Sequence, residues 1–223
     1  MKITLIADTH GMHELLCLTE GDMLIHAGDI TEYGSVEEVM DFIGWFAKQP
    51  FKYKIFIAGN HDLFLESCSA VKRKRFMPQG VTYLQNSSIE IEGLKIFGSP
   101  VTPYYLGMAF NKREGKEIKK CWDKIPVDTN ILITHGPPKG IMDNGFGCEK
   151  LMNKLTTIKP NLHMFNHVHQ QNGSLQQTET CFVNAALVNC LDPFLNRPYR
   201  IIAKPIDLIL DQNINRTNEL IIY

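Results

Sequence analysis

Five short polar clusters stand at the ends of apolar runs, and their side chains are of the kinds that bind divalent metal ions. In chain order the clusters are Asp8-Thr9-His10, Gly28-Asp29, Gly59-Asn60-His61-Asp62, Thr134-His135-Gly136 and His167-Val168-His169. They hold five of the eight histidines in the chain, more than a scattered distribution would place there. Two adjacent cations bound by such a set would hold phosphate oxygens and lower the pKa of a shared water, which is the chemistry of in-line displacement at phosphorus.

Seven side chains in these clusters are candidate metal ligands. They are Asp8, His10, Asp29, Asn60, His135, His167 and His169. Asp8 and His10 are two residues apart, so their side chains leave an extended segment on the same side. Asp29 has two carboxylate oxygens and can therefore bridge two cations. The mixture of nitrogen and oxygen ligands suits manganese foremost, with iron, zinc and nickel as alternatives, whereas magnesium and calcium favour oxygen alone.

A phosphoester hydrolase also needs a proton donor for the leaving alkoxide. His61 directly follows the candidate ligand Asn60, so we predict that His61 protonates the leaving group and that both residues contact the substrate. Asp62 comes next, and its carboxylate could orient the His61 ring. The sequence therefore predicts His61 and Asp62 as the catalytic residues.

Buried strands are expected to carry the first three clusters. Residues 3–7, 23–27 and 53–58 are short β-branched apolar runs, each followed by one cluster. A helix is predicted to begin at Ser35, because Glu38 three residues later completes a capping box. Strand–helix–strand order favours a parallel sheet, in which the loops after the strands share one edge and can bind a ligand there.

The later part of the chain is expected to form further short strands and two helices. The predicted strands cover residues 81–84, 88–91, 94–98, 131–134, 162–166, 174–178, 181–184 and one or two segments of 200–210, and the helices cover 114–122 and 148–158. No repeat, low-complexity tract or linker interrupts the sequence. We therefore predict one domain over residues 1–223, in which two mixed sheets pack face to face.

Composition argues against several classes of protein. The 223 residues include 23 basic and 24 acidic ones, a balance that favours neither a nucleic-acid polymer nor an anionic membrane as partner. The six cysteines form no CxxC pair, so we expect reduced thiols and a cytoplasmic protein. The first strand begins at once, which leaves no room for a signal peptide. The longest apolar runs, five or six residues, are too short to span a membrane.

Taken together, the motifs DxH, GD, GNHD, THG and HxH resemble those of the calcineurin-like metallophosphoesterase superfamily. Several longer segments resemble its small phosphodiesterase subfamily, which includes the vertebrate metallophosphoesterase-domain-containing proteins. These segments are Asp8-Thr9-His10-Gly11, Gly28-Asp29-Ile30-Thr31-Glu32, Ala58-Gly59-Asn60-His61-Asp62, Ser99-Pro100-Val101-Thr102-Pro103 with Phe110-Asn111, and Thr134-His135-Gly136-Pro137-Pro138. The resemblance spans nearly the whole chain. It implies an α/β fold, a four-layer αββα sandwich of two mixed β-sheets, and hydrolysis of phosphodiesters, including cyclic nucleotides.

The resemblance also implies how the ligands divide between two metals. The first metal would be held by Asp8, His10, Asp29 and His169, and the second by Asp29, Asn60, His135 and His167. One position departs from the family pattern, because Asn166 stands before the paired histidines where the family usually has Gly. Asn tolerates positive φ, so we expect the turn to be kept with some strain.

Other residues near the clusters have alternative interpretations. His13 is expected at the surface or the rim of the site, His26 in the core or beside Asp29, and His163 in the core.

Two further groups could touch a substrate. Tyr104, Tyr105, Phe110 and the Gly145-Phe146-Gly147 turn could stack on a base, or could make ordinary hydrophobic contacts. The run Lys72-Arg73-Lys74-Arg75 is interpreted as a solvated helix end and not as a phosphate-binding patch.

The leading prediction is a dinuclear metal-dependent phosphodiesterase that hydrolyses small phosphodiesters, with cyclic nucleotides as candidate substrates, by attack of a metal-bridging hydroxide. The first alternative is a phosphomonoesterase or Ser/Thr phosphoprotein phosphatase, a class that carries arginines close to its metals. Arg113 is the nearest candidate for that role. A binding scaffold without catalysis is disfavoured by His61, and a nuclease by the lack of a basic groove in the sequence.

Overall fold

The structure, a computed structural model, describes residues 1–189, 199–210 and 220–222. The strands in these residues are β1 (Lys2–Ile6), β2 (Gly21–His26), β3 (Phe51–Phe56), β4 (Val81–Tyr83), β5 (Ser87–Ile91), β6 (Leu94–Ser99), β7 (Thr102–Pro103), β8 (Asn111–Lys112), β9 (Ile131–Thr134), β10 (Leu162–Phe165), β11 (Gly173–Gln177), β12 (Thr180–Asn184), β13 (Ile206–Leu210) and β14 (Leu220–Ile222). The α-helices are α1 (Val36–Ala47), α2 (Leu63–Ser67), α3 (Ala70–Phe76), α4 (Lys116–Trp122) and α5 (Glu149–Ile158). None of these helices has both the length and the apolarity needed to cross a membrane.

The first sheet has six strands in the order β14-β13-β1-β2-β3-β4. The strands β1 to β4 run parallel, with Ile3 opposite Met23 and Met23 opposite Tyr53, whereas β13 is antiparallel to β1. Parallel neighbours need a crossover connection, and α1 supplies the one between β2 and β3. The predicted strand–helix–strand pattern of the early chain is therefore confirmed.

The second sheet also has six strands, in the order β11-β12-β10-β9-β6-β5. Its four central strands are parallel, and the edge strands β5 and β11 are antiparallel to their neighbours. The hairpin between β5 and β6 turns at Glu92 (φ 48°) and Gly93 (φ 78°), and two positive φ values match the twist of a tight hairpin. The short strands β7 and β8 form a separate pair.

Three buried apolar clusters show how the layers pack. One lies between the two sheets and includes Ile25 of the first sheet and Ile133 of the second. The other two lie on the outer faces, where α1 covers the first sheet through Phe42 and the helices α4 and α5 cover the second through Trp122 and Leu155. The order helix, sheet, sheet, helix confirms the predicted four-layer αββα sandwich.

The N-terminus of α1 is tied to the loop that follows β2. Ser35 and Glu38 form the predicted capping box, in which each side chain accepts a hydrogen bond from the other residue's main-chain N–H. The Glu38 carboxylate also accepts the N–H of Glu32, at 2.9 Å. The helix end therefore fixes the loop that carries Asp29 and Glu32.

Candidate metal centre

The five polar clusters converge at one edge of the sandwich. They follow the carboxyl ends of β1, β2 and β3 in the first sheet and of β9 and β10 in the second. Main-chain pairing continues past the strand ends, from Asp8 N–H to the Gly28 oxygen and from Asn166 N–H to the His135 oxygen, both at 3.0 Å. The sheets thus bring together segments that lie far apart in the sequence.

Four of the candidate ligands have backbone conformations that are strained for residues with a side chain. Positive φ angles occur at Asp8 (48°), His10 (43°), Asp29 (53°) and His167 (73°). Such angles are uncommon outside glycine and cluster at functional sites, where the surrounding structure enforces them. The side chains are therefore directed by tertiary contacts and not by local preference.

Two glycines are required by close approach at this edge. A Cβ atom at Gly59 would lie 2.2 Å from the Asp29 carboxylate. A Cβ atom at Gly28, where φ is +107°, would lie 2.6 Å from the oxygen of Ala58. Both loops reach the site only because these positions lack a side chain.

The candidate ligands form two triads, defined here as the first triad (Asp8, His10 and His169) and the second triad (Asp29, His135 and His167). Within each triad the potential ligand atoms lie within 4.8 Å of one another. Nε2 of His169 is 3.5 Å from Oδ2 of Asp8, and Nε2 of His135 is 3.4 Å from Oδ2 of Asp29. Each triad has the mixed nitrogen and oxygen composition of a transition-metal site.

Asp29 belongs to the second triad and also faces the first. Its Oδ2 atom is 3.4 Å from Nε2 of His135 and 3.7 Å from Nε2 of His10. Its other oxygen accepts the N–H of His61, at 2.9 Å. The carboxylate therefore has the position of a group that two cations share.

Asn60 lies beside the second triad. Its Oδ1 atom is 2.7 Å from Nε2 of His135, and its Nδ2 atom is 3.1 Å from the Met108 sulfur. The Asn60 main-chain oxygen accepts the N–H of Ala109, at 3.0 Å. The amide oxygen thus faces the same point as the imidazole nitrogen.

A buried nitrogen atom in the first triad provides a test of whether a metal fits. Nε2 of His10 is buried and has no hydrogen-bonding partner among the residues that the structure describes. Leaving such an atom without a partner costs free energy, which a bound cation would recover. The donor set therefore fits a metal ion.

Electrostatics in the second triad set opposite pKa shifts on its two histidines. Burial alone lowers the pKa of His135, but the carboxylates of Asp29, Asp8 and Asp62 together outweigh burial and raise that pKa to about 9. Burial, reinforced by the charge on His135, lowers the pKa of His167 to about 4. The pKa of Asp29 falls well below its usual value, because the histidines around it outweigh its burial.

His61 lies next to both triads, and it is oriented by a residue that the sequence did not indicate. Its Nδ1 atom is 2.8 Å from the main-chain oxygen of Glu32, and its ring meets the His10 ring edge-on at 4.6 Å. The Asp62 carboxylate instead accepts the N–H groups of Gly59 (2.6 Å) and Thr31 (3.0 Å). The prediction that Asp62 orients the His61 ring is therefore wrong, since Asp62 fastens two loops together.

With this geometry in view, comparison with known proteins shows the family. The family model described as calcineurin-like phosphoesterase matches residues 1–171. The chain belongs to this family. Metal-dependent phosphoester hydrolysis is therefore its reaction class.

Curated relatives of this phosphoesterase match along most of the chain. A UPF0046 protein of Caenorhabditis elegans is 36% identical over 214 residues, which is 89% of this chain and 73% of that protein. Human metallophosphoesterase domain-containing protein 1 is 34% identical over 214 residues, 83% of this chain and 66% of that protein. The chain thus spans about two thirds to three quarters of the length of these relatives.

Solved structures of low sequence identity share the fold. The phosphopantetheinyl hydrolase of Mycobacterium tuberculosis has a TM-score of 0.60 and 13% identity, over 82% of this chain and 88% of that one. The TT1561 protein of Thermus thermophilus has a TM-score of 0.55 and 15% identity, over the same shares of the two chains. At this identity the likeness concerns the fold alone.

Asn166, the departure from the usual family glycine, has a role in the site that backbone conformation does not explain. The positive φ falls on the following residue, His167, and not on Asn166, so the expected strain at Asn166 is absent. The buried Asn166 amide instead donates a short hydrogen bond to Oδ1 of Asp8 and lies 3.0 Å from Nδ1 of His135. One side chain thus contacts a member of each triad.

The three histidines outside the five polar clusters are all buried. His13 is 1% exposed and lies 3.3 Å from the Asp41 carboxylate, so its expected position at the surface or rim is wrong. His26 contacts the Thr9 hydroxyl at 3.0 Å and accepts the Gly28 N–H at 3.2 Å, which places it directly behind the ligand loops. His163 lies in the core, as predicted.

The aromatic residues proposed to stack on a base divide into two groups. Phe110 is 3% exposed and packs in the core, which agrees with the alternative of an ordinary hydrophobic contact. Tyr104, Tyr105 and Phe146 are exposed, and the rings of Tyr105 and Phe146 meet edge-on at 6.3 Å.

The basic run lies on α3, as the helix interpretation predicts. Arg73 is not fully solvated, however, because its guanidinium binds the oxygens of Leu65 and Cys68 and lies over the Tyr83 ring. This arginine therefore ties α3 to the preceding loop.

Proposed function

We propose that this phosphoesterase is a dinuclear phosphodiesterase that hydrolyses small phosphodiesters, with cyclic nucleotides as candidate substrates. The observation that carries the proposal is that the Asp29 carboxylate faces ligands of both triads, with His61 alongside. Family membership supports phosphoester hydrolysis. The preference for diesters over monoesters is what the proposal adds.

The proposed ligand sets follow the two triads. One cation would be held by Asp8, His10, Asp29 and His169, and the other by Asp29, Asn60, His135 and His167. When bound, the cations would activate water and neutralise charge on the phosphoryl oxygens. Manganese is proposed first, because each set combines two imidazole nitrogens with two oxygen ligands.

His61 is proposed to donate the proton to the leaving alkoxide. Nδ1 of His61 contacts the Glu32 main-chain oxygen, which leaves Nε2 as the atom free to face the substrate. The side chain is 24% exposed, so a bound substrate can reach it. A proton donor at this position serves bond cleavage and is not needed for metal binding.

Two exposed aromatic rings support a substrate that carries a base. The rings of Tyr105 and Phe146 meet edge-on, and the loop that carries Tyr105 adjoins Asn60, beside the second triad. This loop contacts Asn60 through Met108, whose N–H also donates to the Tyr105 oxygen. Stacking of a base on such rings stabilises binding by about 1–3 kcal/mol.

The monoesterase alternative predicts arginine near the triads. Arg113 is exposed, and its main-chain N–H donates to Glu117 near the start of α4. A site that grips a diester monoanion needs fewer cationic side chains than one that grips a monoester dianion.

The decisive experiment compares two synthetic esters. Protein reconstituted with Mn²⁺ should hydrolyse bis(p-nitrophenyl) phosphate faster than p-nitrophenyl phosphate, and a panel of cyclic nucleotides should contain a substrate. The variant His61→Ala should bind Mn²⁺ normally and cleave at least about 100-fold more slowly. Preference for the monoester, or equal rates for both proteins, would contradict the proposal.

A further inference from the structure

Glu32 lies at the first triad, and the proposed metal assignment gives it no role. It stands three residues after Asp29, in the loop between β2 and α1. Its main chain is fixed, because its N–H donates to the Glu38 carboxylate at the capped end of α1. A loop held in this way can direct a side chain reproducibly.

The Glu32 carboxylate holds His10 from the side opposite the triad. Its Oε2 atom is 3.0 Å from Nδ1 of His10. The other ring nitrogen of His10, Nε2, is buried, has no hydrogen-bonding partner among the described residues and lies 3.7 Å from Asp29. A carboxylate on Nδ1 favours the tautomer in which Nε2 is the ligand atom, and makes that atom more basic.

Tyr199 completes the support around His10. Its ring stacks on the His10 ring, with centroids 4.7 Å apart and planes 11° from parallel. Its hydroxyl also hydrogen-bonds to the Glu32 side chain. The imidazole is thus fixed on its face by Tyr199 and at its edge by Glu32.

We propose that Glu32 and Tyr199 are positioning residues that orient His10 and thereby set the affinity of the first triad for its metal ion. The inference rests on the proposed ligand assignment but not on the identity of the substrate. Glu32 also binds His61 through its main-chain oxygen at 2.8 Å, a contact that every substitution retains, whereas Oε2 of Glu32 lies farther away, 3.9 Å from Nδ1 of His61. His61 is not one of the proposed ligands, so Mn²⁺ binding reports on the support of His10.

The test is a titration of the protein with Mn²⁺ in the absence of substrate. Electron paramagnetic resonance measures the concentration of free Mn²⁺ at each step. Glu32→Ala should weaken one of two Mn²⁺ sites by about 10–100-fold and leave the other unchanged. Glu32→Gln keeps an acceptor for Nδ1–H and should recover part of the affinity, and Tyr199→Phe keeps the stacking and should lose only a few-fold. Glu90→Gln, the same chemical change at an exposed position on β5, is the matched control and should bind as wild type.

Activity provides a second, separable readout. At saturating Mn²⁺ the kcat of Glu32→Gln should stay within a few-fold of wild type, while the Mn²⁺ concentration needed for half-maximal activity rises. Folded variants with wild-type Mn²⁺ isotherms would overturn the inference even if the protein cleaves diesters. Weakened binding in a protein that cleaves no diester would uphold it and reject the proposed function. If Glu32→Ala does not fold, Glu32→Gln and Tyr199→Phe decide the outcome.

Discussion

Nε2 of His135 lies 3.4 Å from Oδ2 of Asp29, and both side chains are buried. Burial lowers the pKa of His135, but the Asp29 carboxylate, together with those of Asp8 and Asp62, more than offsets this and raises the pKa to about 9. At neutral pH without metal, His135 therefore carries a proton that a cation must displace.

We expect Mn²⁺ binding at about pH 7 to release at least one proton. The apparent affinity should rise with pH, because protonation of His135 competes with the metal, and this dependence should fade above about pH 9. Titration calorimetry in buffers of different ionisation enthalpy measures the proton count. The same release at pH 7 and well above pH 9 would be incompatible with a raised pKa at His135.

Asn166 should matter through its amide and not through its backbone. Asn166→Ala leaves the buried Asp8 oxygen without its donor, so we expect about 1–3 kcal/mol lower stability and about 10-fold weaker Mn²⁺ binding. Asn166→Gly should weaken Mn²⁺ binding as much, since Asn166 does not have the positive φ that favours glycine.

Thermal unfolding and Mn²⁺ titration test both variants at Asn166, with the exposed Asn153→Ala on α5 as the control. Full Mn²⁺ affinity in Asn166→Gly would show that the amide is dispensable.

His163 should make stability depend on pH. Burial lowers its folded-state pKa to about 3, well below the value in an unfolded chain, so its contribution is complete above about pH 6.5. As pH falls from about 6.5 towards 3, the unfolded state binds a proton that the folded state does not, and stability drops by up to about 1.4 kcal/mol per pH unit.

To test this, the free energy of unfolding in urea is measured for wild type and for His163→Gln between about pH 3 and pH 6.5. The Thr134 hydroxyl donates to the Gly136 oxygen and so accepts from His163, a bond that the Gln amide can replace. As the pH falls, wild type should lose more stability than the variant, because only wild type has the buried histidine. A difference that stays constant with pH would rule out the lowered pKa.

The exposed ring pair at the site should contribute to binding of nucleotide substrates. For a cyclic nucleotide that the protein cleaves, Tyr105→Ala should raise KM by about five-fold or more with little change in kcat, because stacking is worth about 1–3 kcal/mol per base. A ribose cyclic phosphate without a base is the control substrate and should show no such change. An equal KM effect on both substrates would place the role of Tyr105 elsewhere.

Much of the fold was predictable because its strands and its first helix carry local sequence patterns of their own. The runs before the first three clusters, the capping box at Ser35 and the strand Ile131–Thr134 follow from apolar content and capping chemistry alone. His13 was misplaced because a single histidine near polar residues gives no periodic signal, and its burial against Phe42 and Trp45 depends on how α1 packs.

The sequence by itself determined the types of the candidate ligands, the strand ends that carry them and the reaction class, since chemical identity and short-range spacing are properties of the chain. The tertiary structure decided which side chain supports which ligand. Glu32 and not Asp62 contacts His61, Tyr199 stacks on His10, and Asn166 bridges the triads. These contacts join segments distant in sequence, and their geometry exists only after two sheets pack and bring their strand ends to one edge.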